Sequence, residues 1–233
     1  MDKKIIIDFA MPLSMVIFLT AVLNVTNADI EIEKWFYSPV SGWFSGHENP
    51  WSLLYEYGNI PALLLSIGGL LAFVLSFFQK KLISYRKIGL FLVTFMILGP
   101  GFLVNTVFKD HWGRPRPADI VNFGGTEAFR HVWEKGQPWQ GKSFPSGHAA
   151  VGFFLFSPFF FLRKTSRRWA AFFLCLGISY GILMGTGRMI QGGHFPTDVL
   201  WSGAFTYLTG LILYYVFRFD RENEPPHSKF WSI

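Results

Sequence analysis

Three short segments hold most of the side chains in this chain that can do chemistry. They are Lys109-Asp110-His111-Trp112-Gly113-Arg114-Pro115-Arg116-Pro117, then Ser143-Phe144-Pro145-Ser146-Gly147-His148, then Gly187-Arg188 followed by His194 and Asp198. Lys109, Arg116 and Arg188 are fixed cations, and guanidinium forks match phosphate oxygens in paired geometry. Ser146-Gly147 opens an apolar run, where free backbone N–H groups and the positive end of a helix dipole face an incoming anion. Gly147 lets the backbone approach closely. An imidazole serves as nucleophile or as general acid and base. Asp198, four residues after His194, is placed to accept a ring N–H and fix the tautomer. Phosphoryl transfer is the chemistry that uses all of these groups. Spacing alone does not say which histidine attacks.

Taken singly, each feature has a plainer account. A Ser-Gly-His is most often a helix cap, and a His and Asp four apart often form only a helix-face pair. Arg114 is either a solvated turn residue or an auxiliary phosphate contact. His47, His111, His131 and His227 are given no role. No His/Cys cluster has the tight spacing of a zinc site, and the protein cations already neutralise a phosphate, so neither a metal nor a cofactor is expected.

The elements that position these residues are apolar runs. Of 233 residues, 51% are hydrophobic, 19% aromatic and 15% charged; a soluble domain carries about a quarter charged residues. The apolar residues are concentrated in stretches about long enough to cross a bilayer. We read six: Ile5 to Val25 as an uncleaved first helix with Pro12 as a kink, Ile60 to Phe78, Ile88 to Phe108 with a kink at Gly99-Pro100-Gly101, a short Ser146 to Leu162, Trp169 to Gly187, and Pro196 to Phe217. The expected fold is an all-α integral membrane six-helix bundle in a single domain, 1–233, with the motifs in 109–198. Residues 27–58, rich in Trp and Tyr, read as an interfacial loop or short amphipathic helix. Residues 110–144 form a loop long enough to be functional, and 218–233 a polar tail. Cys175 is the only cysteine, so no intrachain disulfide forms.

Charge sets the orientation. Thirteen of the 21 Lys and Arg residues fall at the N-terminus, in 79–87, in 163–168 and in the tail. The positive-inside rule makes that side cytoplasmic, with both termini, and turns the three motifs outward to the periplasm or cell exterior. The net charge of +6 belongs to helix ends, not to a basic patch with interleaved aromatics, so nucleic acid is not an expected partner.

The three motifs resemble those of the type-2 phosphatidic acid phosphatase family, relatives of the vanadium haloperoxidases. The family pattern is Lys, six residues, Arg-Pro; then Pro-Ser-Gly-His; then Ser-Arg, five residues, His, three residues, Asp. Here it reads Lys109 to Arg116-Pro117, Pro145-Ser146-Gly147-His148, and Gly187-Arg188 to His194 to Asp198, with Gly187 in place of the family Ser as the one departure. The Gly-Arg-Pro-Arg-Pro run, Phe123-Gly124-Gly125 and Gly141-Lys142-Ser143-Phe144 further resemble the bacterial lipid A phosphatase-like branch.

The resemblance implies roles. His194 is the nucleophile that forms a phosphohistidine, Asp198 its partner, and His148 the general acid and then base. Lys109, Arg116, Ser146, Gly147 and Arg188 bind phosphate. The expected activity is hydrolysis of a lipid phosphate ester or diphosphate at the outer face of a bacterial inner membrane. Candidate substrates are phosphatidic acid, phosphatidylglycerol phosphate, undecaprenyl diphosphate and lipid A. Alternatives are a lipid-to-lipid phosphotransferase, a vanadate-dependent haloperoxidase and a non-enzymatic transporter or scaffold. Partners are the lipid substrate and the bilayer.

Overall fold

The computed structural model describes residues 3–221, and they are helical, with no sheet among them. Helix α1 (Lys3–Val25) keeps Pro12 inside an unbroken helix. After Asn27, in the left-handed region, come the short α2 (Ala28–Glu33), then α3 (Trp51–Tyr57) and α4 (Ile60–Leu75), whose Pro61 sits in the first turn, where no N–H is needed. Helix α5 (Arg86–Met96) runs into a π-helical stretch, Ile97–Phe108, and ends in α6 (Lys109–Trp112). The expected kink at Gly99-Pro100-Gly101 is therefore a change of helical pitch. Pro100 supplies no donor, and the chain stays helical through wider hydrogen-bonded turns.

Helices α7 (Gly147–Phe153) and α8 (Ser157–Leu162) flank a 3-10 turn at Phe154–Phe156. Pro158 cannot donate to the Phe154 carbonyl, so a regular α-helix does not pass through this point. Helix α9 (Arg167–Ile190) and α10 (Pro196–Val216) complete the bundle. Among the described residues five helices are long and apolar enough to cross a membrane, one fewer than expected. The shortfall is Gly147–Leu162. At 1.5 Å per residue its sixteen residues span about 24 Å, less than a hydrocarbon core of about 30 Å.

Burial sorts the helices. Half of the apolar window of α10 is buried against 6% of that of α1, so α10 is the central post and α1 a peripheral stave. Phe91, Phe95, Phe154, Phe156 and Phe160 pack with Leu211 and Tyr214 in the middle of the bundle. Leu64, Leu71, Phe172 and Ile182 point outward and are exposed, an apolar exterior that water would not tolerate over so large an area.

The two ends of the bundle differ in chemistry. At one, Asp8 accepts from Arg163 (2.7 Å) and from the Tyr215 hydroxyl (2.7 Å), and Arg86 donates to the Ser76 side chain and carbonyl. The second residue of the tail packs into the bundle: Phe219 is buried, its ring centroid 5.3 Å from that of Phe91. Residues 222–233 of the tail, with His227, lie outside the described residues. At the other end, residues 27–58 and 110–144 form one cap, in which Tyr37 and Trp43 from the first segment pack on Phe123 from the second. The 110–144 loop is tied down through Trp112 Nε1 to the Val132 carbonyl (3.0 Å) and Ala118 N to the Gly192 carbonyl (3.0 Å).

Replacing Asp8 by Leu leaves the Arg163 guanidinium and the Tyr215 hydroxyl without their shared acceptor. The expected loss is about 1–3 kcal/mol, read as a lower midpoint of thermal unfolding in detergent micelles.

Candidate active site

All three motifs arrive at the capped end: Lys109 in α6, Ser146 before α7, Arg188 in the last turn of α9, and Asp198 in the first turn of α10. Ser146 is buried and is the N-cap of α7, its Oγ accepting from Ala149 N at 3.4 Å. Gly147 is packed so closely against Asn105 that any Cβ there would strike the Asn105 Oδ1. Asn105 is held in turn by Nδ2 donating to the Pro100 carbonyl (2.7 Å), so the π-helical stretch supports the Ser-Gly turn.

His194 lies between α9 and α10 and is 1% exposed. Its Nδ1 is 2.5 Å from the Ser143 carbonyl oxygen. A carbonyl only accepts, so Nδ1 carries the hydrogen and Nε2 keeps the lone pair. Burial first, then the charges of Lys109 and Arg188, hold the His194 pKa well below the ordinary imidazole value; Arg116 adds to the same effect. The ring is therefore neutral at physiological pH and surrounded by the three cations expected to bind phosphate. Lys109 and Arg188 act on His148 as well, which places both imidazoles in one cationic field.

Asp198 does not take the ring N–H of His194, as its spacing suggests. The carboxylate is 3.9 Å from Nδ1, because both of its oxygens are committed elsewhere. Oδ2 accepts from Ser143 Oγ (2.6 Å) and Phe195 N (2.8 Å), and Oδ1 accepts from Arg114 (2.5 Å). Asp198 thus holds Ser143, and Ser143 holds the imidazole through its main-chain carbonyl.

Arg114 is neither a solvated turn residue nor a phosphate contact. It is 0% exposed, and its nitrogens are occupied by the Arg130 carbonyl (2.9 Å), Thr197 Oγ1 (2.8 Å), Asp198 and Asp29 Oδ2 (2.7 Å). Asp29, from α2, also accepts from Thr197 N (3.0 Å) and Thr197 Oγ1 (2.6 Å). Burial alone would lower the Arg114 pKa, but the charges of Asp198 and Asp29 outweigh it and raise it. Glu33, one helical turn beyond Asp29, is buried with both carboxyl oxygens unpartnered. Burial first, then Asp29 and Asp198, push its pKa well above the ordinary carboxylate value. One guanidinium faces two carboxylates, and burial favours the neutral form of the third acid.

Helix α3 reaches the site from the cap. Tyr55 stacks on His148 (centroids 4.8 Å, 21°), and the Arg188 guanidinium lies 4.7 Å over the same ring. Arg188 also reaches the Gln191 side chain, and its Nε is buried without a partner, a donor left for an anion. Trp51, Leu54, Tyr55, His148, Gly187 and Arg188 line a small cavity too tight for a water-sized sphere. Gly187 stands where a Cβ would come within 3.1 Å of Leu54 Cδ2 and 3.6 Å of Trp51. The departure from Ser therefore matches the close seat of α3.

Sequence reasoning missed Asp29, Thr197, Asn105 and Tyr55. Asp29 and Tyr55 sit in the aromatic-rich segment 27–58, whose pattern signals an interface and not a site. Only the separation in space of residues 85 apart in sequence, brought together in the Arg114–Asp29 pair, gives Asp29 a role.

A model of the PAP2 superfamily matches residues 89–222. The chain belongs to the PAP2 superfamily. A protein of Francisella tularensis subsp. novicida (strain U112) named lipid A 4'-phosphatase is 34% identical over 191 residues, covering 81% of this chain and 85% of that protein. A lipid A 4'-phosphatase of Rhizobium leguminosarum is 36% identical over 120 residues, half of each chain. A lipid A 1-phosphatase of Rhizobium etli is 31% identical over 133 residues, 54% of this chain and 50% of that one. No solved structure matches the chain. This PAP2 protein is a phosphoric ester hydrolase, in the lipid A phosphatase-like branch. Asp29, Glu33 and Tyr55 lie before the PAP2 match.

Removing Arg114 as Arg114→Met strands buried carboxylates, and about 3–5 kcal/mol of stability is expected to go with it, measured by thermal unfolding. The milder Asp29→Asn is expected to leave a folded enzyme whose kcat falls roughly 10- to 100-fold through misplacement of the imidazole, with KM little changed. A second expectation concerns pH. Nearby positive charge disfavours the His194 imidazolium, so the acid limb of kcat/KM should fall below the ordinary imidazole range. Lys109→Met removes one such charge, which raises the His194 pKa and moves that limb to higher pH. Rate–pH profiles of both proteins on one substrate check this, since the titration of the substrate is common to them.

Proposed function

We propose that this PAP2 protein is an integral membrane lipid phosphatase that cleaves phosphate from a lipid headgroup at the outer face through a phosphohistidine. The observation that carries the reading is the state of His194. Its Nδ1–H is fixed on the Ser143 carbonyl, which leaves the Nε2 lone pair free within the field of Lys109, Arg116 and Arg188.

In the first half-reaction Nε2 attacks phosphorus and the bond from phosphorus to the lipid oxygen breaks. His148, charged once the bound phosphate dianion offsets Lys109 and Arg188, protonates the departing oxygen. Lys109, Arg116 and Arg188 offset the charge spread over the phosphoryl oxygens, and the Ser146-Gly147 turn holds it in place. In the second half-reaction His148 takes a proton from water, the water oxygen attacks phosphorus, and the N–P bond breaks. Inorganic phosphate leaves and His194 returns neutral. The relay Arg114–Asp198–Ser143 keeps the ring in one tautomer throughout.

Among the candidate lipids, a lipid A phosphate is the reading favoured by the names of the relatives. The six-span arrangement counts the short Gly147–Leu162 helix as the fourth crossing. The cationic end, with Arg86, Arg163, Lys164, Arg167 and Arg168, then faces the cytoplasm with both termini, and the site opens to the periplasm of a bacterial inner membrane.

The test uses purified protein in detergent with radiolabelled lipid phosphates, among them lipid A and phosphatidic acid. Release of inorganic phosphate that is abolished in a folded His194→Ala protein, blocked by vanadate and retained in chelator is the expected result. Hydrolysis that persists in His194→Ala removes the mechanism; label transferred to an acceptor lipid in place of water marks a phosphotransferase.

A further inference from the structure

We infer that the apolar groove between the start of α4, helix α3 and the outer half of α9 seats a hydrocarbon chain of the same lipid whose phosphate enters the site. The inference rests on the lipid-phosphatase reading above and adds the surface that selects the substrate. The groove has a volume of about 600 Å³, in the range of drug-sized ligand sites. Its walls are Leu53, Ile60 and Pro61 on one side and Leu183 on the other. Trp51 and Leu54 line both this groove and the small cavity that holds His148 and Arg188. The two spaces therefore meet at a shared pair of side chains.

The direction of the groove also fits. Along α9, Tyr180, Leu183, Met184 and Gly187 follow at spacings of three and four, one face of a helix. Tyr180 and Leu183 line the groove, while Met184, Gly187 and Arg188 line the cavity. From Gly187 to Tyr180 is seven residues, about two turns and roughly 10 Å along the axis, away from the cationic end of the site. A lipid whose phosphate lies at Arg188 sends its chain along this line toward the bilayer interior. The Tyr180 hydroxyl donates to the Gly58 carbonyl (2.9 Å), so that polar tip on the wall is satisfied, and Trp51 and Tyr57 supply the others. The rest of the wall is hydrocarbon surface, which suits an acyl or prenyl chain and not a headgroup. Leu54, seated on Gly187, is the shoulder where headgroup and chain part.

The test fills the groove without touching the site. Leu53 and Leu183 are 50% and 43% exposed, so Leu53→Trp and Leu183→Trp add bulk into open space and are expected to fold. Two substrates are compared in the full-length protein: a long-chain phosphatidic acid in mixed micelles and para-nitrophenyl phosphate, which carries no chain. The expected result is at least a tenfold loss in kcat/KM for the lipid, most of it in KM, with the soluble ester changed less than twofold. Equal losses on both substrates, or none on the lipid, overturn the inference. A phosphatidic acid with a photoactivatable group in its chain gives a second reading in the His194→Ala protein, independent of turnover. Labelling between Tyr180 and Leu183 that is displaced by unlabelled phosphatidic acid supports the groove; labelling spread over all lipid-facing helices sinks it. Wild-type protein that hydrolyses neither ester while the chain still labels the groove overturns the phosphatase reading alone.

Discussion

The buried pairing of Arg114 with Asp29 and Asp198 is the constraint on which the rest of the capped end depends. An arginine with no exposure is tolerated only when its charge is matched and its donors are used, and here four acceptors from three separate parts of the chain use them. Because Asp198 is held by Arg114, its other oxygen is free to fix Ser143 and the Phe195 amide. Because Ser143 is fixed, its carbonyl sets the tautomer of His194. The imidazole that would attack phosphorus is thus oriented at two removes by a residue that never meets the substrate. Such an arrangement spares the carboxylate from lying directly against the nucleophile and places a rigid main-chain acceptor there instead.

The same pairing explains how a peripheral segment becomes part of the site. Helix α2 is six residues long and could not be stable alone. Asp29 ties it to the first turn of α10 through Thr197 and Arg114, and burial, with Asp29 and Asp198 nearby, raises the pKa of Glu33. Farther along the same segment, Tyr55 is set between His148 and Arg188. The PAP2 match begins at residue 89, so the three motifs all lie within it, yet the side chains packed around them do not. The proposed chemistry uses side chains from the second half of the chain, and the first half supplies walls around them.

Helix geometry does the remaining work of convergence. Lys109 ends one helix, Arg188 is in the last turn of another, and Ser146 and Asp198 start two more. Antiparallel neighbours bring ends and beginnings to the same level, so three short motifs become one cluster. The price is a short Gly147–Leu162 helix, with its 3-10 turn at Phe154–Phe156, whose start must lie deep enough for Gly147 to meet Asn105.

The sequence by itself determined the helical membrane class, the boundaries of most apolar runs to within a few residues, and the set of groups able to handle a phosphate. These are legible because apolar length, end charge and motif spacing are local properties that a one-dimensional string carries in full. It did not determine the job of Arg114, which reads as a solvated turn beside Pro115, or the partner of His194, which four-residue spacing assigns to Asp198. Nor did it single out Asp29 or Tyr55. Each of those depends on what stands opposite in space, on whether water reaches the group, and on which acceptor is nearer by an ångström or two. Only the packed bundle decides these, since burial turns a surface cation into a structural clamp and a nearby carbonyl displaces a carboxylate from the ring it was expected to hold.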